Sequence, residues 1–183
     1  PMMPFNIWRQ RSILIANITS LTTGVMLIGI SSFLPAFVQG VMEKPPIIAG
    51  FTLTTMSIGW PIASTIAGRI LLKVGFRTTS LIGGIALIAG SIIFMTLSPE
   101  DGPIMAAFGS FMIGVGMGFS TTAFIVSIQS TVEWQQRGVA TAANMFMRTL
   151  GSTVGAALLG GILNSQLQKH FAKSGYGDQL TVD

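Results

Sequence analysis

The chain has 183 residues, of which 50% are hydrophobic and only 9% are charged, and its mean hydropathy is +0.69. Soluble domains carry about 25% charged residues, so the composition excludes an ordinary soluble protein and indicates a polytopic membrane protein. The chain contains no cysteine, which excludes disulfides, thiolate metal sites and a thiol nucleophile. The net charge of +4 comes mainly from connecting segments and therefore reflects orientation in the membrane rather than nucleic-acid binding.

Five apolar segments follow one another, each long enough to cross the ~30 Å hydrocarbon core as an α-helix. They lack the period-two alternation of β-strands, so the predicted fold class is all-α. Short polar connectors make consecutive spans antiparallel neighbours. We predict a cytoplasmic segment at residues 1–12, a transmembrane bundle at 13–163 and an extracellular polar loop or tail at 164–183. The predicted spans cover about 13–38, 47–72, 78–97, 104–128 and 139–163.

The cations of the connecting segments are distributed unequally between the two sides of the predicted bundle, and cytoplasmic loops carry the excess of Lys and Arg. Lys44, Lys169 and Lys173 lie on the poorer side. The N-terminus is therefore predicted to be cytoplasmic. The richer side holds Arg9, Arg11, Arg69, Lys73, Arg77 and Arg137.

The chain begins with Pro1 and its first residues show no cleavable signal pattern, which favours a piece of a longer protein. Many secondary transporters are built from repeats of three spans, doubled to six in each half. Five predicted spans therefore suggest a six-helix half that lacks its last helix.

Three segments resemble one family of transporters. Gly68-x-Ile-x-x-Lys-x-Gly-x-Arg77 is similar to a loop motif of the major facilitator superfamily. The segment 137–160 begins Arg-Gly-Val-Ala, continues through Asn144, Arg148 and Leu-Gly, and resembles the penultimate-helix region of the fourteen-span drug–proton antiporter branch. Phe33-Leu-Pro-Ala-Phe-Val-Gln39 resembles the end of that branch's first C-terminal-half helix. Together they cover nearly the whole chain in the family's order.

The resemblance implies the C-terminal half of a multidrug exporter that works by proton antiport and alternating access, in a bacterial plasma membrane. Its expected partners are the lipid bilayer, a missing N-terminal half, protons and small amphipathic substrates, with no nucleic acid. One position departs from the family loop, because Leu72 stands where an acid is expected. Arg69, Lys73 and Arg77 are therefore either topological anchors or part of a cytoplasmic-end gating contact.

Arg148 is the one ionisable residue well inside a predicted span. Counting back from Leu163 at 1.5 Å per residue places it roughly 7 Å inside the cytoplasmic boundary. Three roles remain open for its side chain: a structural or gating contact, snorkelling to the interface, or direct contact with substrate or protons. Asn144 lies one turn earlier on the same face and is predicted to share the contact.

No Asp or Glu lies inside a predicted span. Proton-coupled antiport needs a group that binds and releases a proton within the membrane, usually a carboxylate. The coupling acid is therefore expected outside this chain. His170 falls in the predicted outside tail and is interpreted as a solvated loop histidine.

Small residues four apart allow close packing of membrane helices. Gly114 with Gly118, and Gly151 with Gly155, have this spacing and are predicted packing positions. Gly114-Val-Gly116-Met-Gly118 is not a nucleotide loop, because it lies within a span and follows no strand.

Polar and aromatic residues within the spans suit a broad pocket for amphipathic molecules, since aromatic and Met side chains adapt to many shapes. The alternative is ordinary: Ser and Thr bond their own helix, and Phe and Met face lipid. The candidate cavity residues are Gln39, Trp60, Phe119, Phe124 and Gln129.

The sequence contains no metal-ligand cluster, nucleophile–base pair or phosphate loop, so neither an enzyme nor a cofactor is predicted. The favoured interpretation is part of a secondary transporter. The alternative is a membrane packing module that does not transport by itself and needs a partner chain or the missing half.

Overall fold

The computed structural model describes residues 10–98 and 101–173, and within these residues all regular structure is helical. A 3-10 helix, Trp134–Gln136, precedes the last long helix. The described helices include four that are long and apolar enough to cross a membrane. These are α1 (Arg11–Gly40), α2 (Pro46–Thr96), α3 (Gly102–Thr131) and α4 (Arg137–Lys173).

The helices keep large apolar side chains on their outer surfaces. Leu72, Met95 and Ile104 are each more than 80% exposed. A helix that is apolar on every side is stable when lipid replaces water around it. The exposed leucines, isoleucines and phenylalanines therefore suit contact with hydrocarbon, as the composition predicts.

Helix α2 is interrupted at one residue. Its 51 residues would extend about 77 Å if straight, more than twice the ~30 Å of a bilayer core. Gly75 breaks the helical geometry with φ 81° and ψ 172°, a backbone conformation open to glycine because it lacks a Cβ. It divides α2 into a first arm, residues 46–74, and a second arm, residues 76–96.

The first arm runs parallel to α3. Thr55 Oγ1 donates to the Ala107 carbonyl oxygen at 2.8 Å, and the hydroxyls of Ser64 and Thr122 lie 2.7 Å apart. Residue numbers therefore rise together along the two helices. Because α3 ends at Thr131, the first arm ends at the same end of the bundle.

The second arm packs on α3 in the opposite direction. Gly83 lies against Ser120, whereas Gly90 lies against Ile113, nearer the start of α3. Residue numbers therefore rise along the second arm in the direction in which they fall along α3, so the two helices are antiparallel. The chain therefore reverses direction at Gly75, and both arms lie against α3.

The bundle consists of two closely packed pairs, α2 with α3 and α1 with α4, and contacts between the pairs are fewer. One apolar cluster joins the start of α1 to the end of α3. It contains Ile13, Ala16, Ile128, Val132 and Ala140. A second cluster, at the opposite end, contains Leu34, Val38, Met42, Ala49 and Ala106.

Two predicted boundaries differ from the structure. Segment 68–77, which resembles a loop motif and includes the predicted gap between spans 47–72 and 78–97, is helical except at Gly75. The predicted polar tail from residue 164 is helical to Lys173, ten residues beyond the expected end at Leu163. Residues 164–173 contain neither Gly nor Pro, so nothing in that segment stops the helix. Most of the predicted segment 1–12 and residues 174–183 of the predicted tail lie outside the described residues.

Candidate functional site

Helices α1 and α4 pack closely along a contact that we call the seam, where Gly24 of α1 and Gly151 and Gly155 of α4 have no side chain to separate the backbones. A Cβ at Gly24 of α1 would collide with the carbonyl oxygen of Arg148, and one at Gly151 would collide with that of Leu21. Gly155 also lies close to α1, with 2.9 Å between a built Cβ and Val25 Cα. The backbones therefore touch along this seam, the geometry that small residues permit in membranes.

An amide cluster ties the two helices together at the seam. Asn144 Nδ2 of α4 donates to the Ala16 carbonyl oxygen at 3.2 Å, to Asn17 Oδ1 at 3.1 Å and to Ser20 Oγ at 2.8 Å. Asn17, Ser20 and Asn144 are all buried, and Asn17 Nδ2 has no acceptor. Buried amides held this way bind the helices in one register, because any sliding would leave several polar groups unpaired.

Arg148 follows one turn after Asn144 and lies level with the middle of α1. Its carbonyl meets Gly24, the fourteenth of the 30 residues of α1. Its guanidinium lies over the Trp60 ring with 5.7 Å from Cζ to the ring centroid, a cation–π contact that links α4 to the first arm of α2. Arg148 therefore lies level with the middle of α1, 11 residues or about 16 Å along α4 from its start at Arg137, rather than near the end of the bundle as counting back from Leu163 predicted.

Ser152 adds a further bond to the same seam. Its hydroxyl donates to the Gly24 carbonyl oxygen at 3.1 Å and lies 3.2 Å from that of Arg148. Asn144, Arg148 and Ser152 are four residues apart, so they share one face of α4. That face is the polar part of the seam.

The predicted loop cations Arg69, Lys73 and Arg77 are exposed on either side of Gly75. They lie at the end of the bundle where α3 ends, far from Arg148. Arg137 lies at the same end, with its guanidinium 5.1 Å from the Trp134 ring centroid. The structure thus separates the predicted gating residues into an exposed basic end and the inner pair of Asn144 and Arg148.

Gly114 and Gly118 pack α3 against the first arm of α2. A Cβ at Gly114 would collide with the Met56 carbonyl oxygen, and one at Gly118 would meet that of Trp60 at 2.6 Å. These two glycines therefore hold the backbone that carries Trp60 close to α3.

The five candidate cavity residues do not come together. Gln39 is exposed near the end of α1, and Phe119 is buried between α3 and the first arm. Phe124 packs on the apolar cluster around Ile13, while Gln129 Nε2 donates to Thr141 Oγ1 at 3.3 Å. Only Trp60 lies beside the seam.

An apolar cavity of about 420 Å³ lies between α1, the second arm and the outer part of α4. None of the five candidate residues lines it. Its lining comprises Val25, Met26, Gly29, Ile30, Phe33, Leu34, Phe37, Ser91, Phe94, Leu97 and Leu159.

Sequence reasoning missed Gly24, which faces Arg148 and Ser152 across the seam. A signal was present, because Ser20 and Gly24 are small residues four apart, and Asn17 precedes them on the same helical face. Within the described part of the chain, no three His, Asp or Glu side chains gather as metal ligands would.

Comparison with known proteins identifies one family, and the relatives found are transporters or resistance proteins by name. The sequence model of the Major Facilitator Superfamily matches residues 1–156. The chain is 25% identical over 166 residues to Multidrug transporter protein MdtP of Bacillus subtilis, covering 91% of the chain and 31% of that relative. It is 31% identical over 160 residues to Multidrug resistance protein 3 of the same species, covering 87% and 31%. It is 26% identical over 159 residues to a Tetracycline resistance determinant of Streptomyces rimosus, covering 86% and 46%. The chain spans less than half the length of each of these relatives.

Proposed function

Because the chain belongs to the Major Facilitator Superfamily, we propose that it forms most of the C-terminal half of a secondary transporter that exports amphipathic compounds. The observation that carries this proposal is the family match over residues 1–156. Two relatives named for multidrug transport or resistance support the export of drugs. The fourteen-span branch is proposed from the resemblance of segment 137–160 alone. The chain spans 31% of each, which supports a piece of a longer transporter.

The proposed topology has five membrane crossings, one for each arm of α2 and one each for α1, α3 and α4. The reversal at Gly75 supports it, because each arm is then long enough to cross a ~30 Å core separately. A sixth crossing would complete the half. Arg69, Lys73 and Arg77 lie at the end proposed to be cytoplasmic, in a bacterial plasma membrane.

Transport is proposed to follow alternating access, in which this half rocks against a missing N-terminal half. The seam supports such rigid-body motion, since Asn144 and the close glycines fasten α1 to α4. Asn144 is accordingly proposed to preserve the shape of the half during the cycle, and Arg148 to contact the first arm of α2 through Trp60. The exposed Arg69, Lys73 and Arg77 are proposed as contacts at its cytoplasmic face.

Proton coupling is proposed to use an acid in the missing portion. The acids of this chain are all in connectors or terminal segments: Glu43, Glu100, Asp101, Glu133, Asp178 and Asp183. Of the five candidate cavity residues, Trp60 is the one that we propose lies beside the substrate path. Gln39, Phe119, Phe124 and Gln129 remain candidates that share no single site within this chain.

The test is a chimaera in which this chain replaces the matching 160 residues of Multidrug resistance protein 3. In vesicles with a pH gradient, the chimaera should move at least one dye of a set that contains cationic, neutral and anionic amphiphiles, whereas the 183-residue chain alone should move none. Size-exclusion profiles verify that both proteins are inserted and monodisperse. A well-folded chimaera that moves no dye would contradict the transporter proposal. Proton-driven dye movement by the chain alone would contradict the placement of the coupling acid.

A packing module is the second candidate, because the chain spans less than half of each relative. It would bind the missing half without completing a transporter. Co-purification of the two portions without any dye movement would favour it.

A further inference from the structure

Arg148 is a cation beside the middle of the bundle. Within the described part of the chain its guanidinium lies over the Trp60 ring and forms no hydrogen bond or ion pair. No acid stands between residues 44 and 99 or between 134 and 177, so neither α2 nor α4 carries a carboxylate. Ionisable groups at such depth are costly unless they pair or face a polar cavity.

The contact with Trp60 leaves the N–H donors of the guanidinium without an acceptor among the described residues. A guanidinium carries five such donors in a fixed fork. That fork matches the two oxygens of a carboxylate, with which it forms paired, charge-assisted hydrogen bonds. Arg148 is only half-buried, so a ligand can approach it.

A second donor on the same seam also lacks an acceptor. Asn17 is 1% exposed, and its Nδ2 has no partner. Its Oδ1 accepts from Asn144, which precedes Arg148 by one turn of α4. The seam therefore carries an excess of donors over acceptors in a region without acids, a pattern that favours an anionic ligand over a cationic one.

We propose that Arg148, held over the Trp60 ring, binds the carboxylate of amphipathic substrates, with the indole contacting their apolar part. This substrate class, anionic rather than cationic amphiphiles, rests on the proposed transport function. A cationic substrate would meet the Arg148 charge with no carboxylate of this chain to offset it. The low dielectric around the seam strengthens both the attraction and the repulsion.

Binding can be measured on the whole 183-residue chain in detergent, with Trp60 as the reporter after Trp8→Phe and Trp134→Phe. Three nitrophenyl quenchers of equal shape differ in charge: 3-(4-nitrophenyl)propanoate, its amide, and 3-(4-nitrophenyl)propylammonium. Empty micelles correct for partitioning. We expect the carboxylate to quench Trp60 at a concentration at least about tenfold lower than the amide, the range for hydrogen bonds to a charged group. The ammonium should bind more weakly than the amide.

Arg148→Gln should remove the preference for the carboxylate, so that carboxylate and amide quench Trp60 at similar concentrations. A monodisperse size-exclusion profile verifies that the variant is folded. Arg148→Lys keeps the charge and should retain part of the preference. Arg137→Gln is the matched control, since Arg137 lies at the end of the bundle, and it should keep the full preference. Equal binding of carboxylate and amide, or an equal loss in Arg137→Gln, would overturn the proposal.

This binding assay needs no transport, so its outcome is separate from that of the chimaera. A chimaera that moves dyes while Trp60 shows no carboxylate preference would overturn the substrate class alone. A clear preference in the quenching assay with an inactive, folded chimaera would contradict the transport function instead.

Discussion

At the scale of single residues, Asn144 has the largest set of long-range hydrogen bonds at the seam. Its two amide hydrogens face three acceptors on α1, all within 3.2 Å. The sequence predicted a shared role with Arg148 because the two are four residues apart. It did not indicate Asn17 and Ser20 as partners, since those residues are more than 120 positions away and nothing local encodes that pairing.

Asn144→Ala should lower the free energy of unfolding by about 1–2 kcal/mol, because Asn17 and Ser20 would remain buried without their partner. The measurement is SDS-induced unfolding in mixed micelles, followed by tryptophan fluorescence. Asn164→Ala is the matched control on the exposed part of α4 and should change little. In a double-mutant cycle, Ser20→Ala should cost less once Asn144 is absent. Strict additivity of the two changes would exclude direct coupling.

Arg148 shows where counting along a sequence fails. Counting back from Leu163 placed it near the cytoplasmic boundary, whereas the packing of α4 on α1 places it beside Gly24, level with the middle of α1. Its stacking on Trp60 joins two helices that are distant in sequence. Residue type and helical face were predictable from spacing, whereas depth and partner depended on how the helices pack.

At the scale of helices, the reversal in α2 depends on the backbone of one glycine. Gly75 has φ 81°, whereas Gly68, seven residues earlier, has a helical backbone. At neither glycine does any atom lie within 4 Å of a built Cβ. The two positions therefore differ in backbone conformation but not in available space.

Gly75→Ala should destabilise the fold by about 1–3 kcal/mol, the cost of placing a side chain in that conformation. Gly68→Ala, the matched control, should be neutral or stabilising by up to about 1 kcal/mol, because alanine favours helix. SDS unfolding of both variants checks the difference. Equal effects would mean that the chain reverses by a different backbone route.

The α1–α4 seam depends on Gly151 in a different way, through space rather than backbone angle. Gly151→Ala should cost about 1–3 kcal/mol, because its Cβ would push against the Leu21 carbonyl and separate the helices. Gly160→Ala, on the same helix with nothing within 4 Å, should be tolerated. The free energies of unfolding of the two variants are compared by SDS-induced unfolding. A tolerated Gly151→Ala would show that α1 and α4 do not touch there.

Helix positions were largely predictable, because hydrophobic length is a local property. Helix α1 was expected at 13–38 and occupies Arg11–Gly40; α3 was expected at 104–128 and occupies Gly102–Thr131. The errors came at ends where local signals are weak. Polar residues after Leu163 suggested a loop, yet they are ordinary helix formers.

At the scale of the whole molecule, the membrane topology can be tested by labelling single cysteines introduced at charged positions of the connectors, because the chain has no native cysteine that would react. With five crossings, residues 44 and 101 lie on one side of the membrane, and residues 73 and 133 lie on the other. If the two arms of α2 made a single crossing, residue 101 would move to the side opposite residue 44.

Single cysteines at Lys44→Cys and Asp101→Cys should therefore react with a membrane-impermeant maleimide added to intact cells. Lys73→Cys and Glu133→Cys should react only after the cells are opened. Labelling after lysis is the control for access at each position. Protection of Asp101→Cys in intact cells would refute five crossings, and labelling of Lys73→Cys would reverse the proposed orientation.

The sequence by itself determined the membrane class, the approximate helix positions, the clustering of cations in particular loops and the family. These follow from composition and short motifs, which act locally along the chain. Only the tertiary structure decided that Asn144 meets Asn17 and Ser20, that Arg148 lies over Trp60 near mid-bundle, and that Gly75 alone breaks the helical backbone where α2 reverses. The physical reason is that lipid is as apolar as the helices themselves, so hydrophobicity inserts them without selecting neighbours. Close-packed glycines and a few buried hydrogen bonds make that selection.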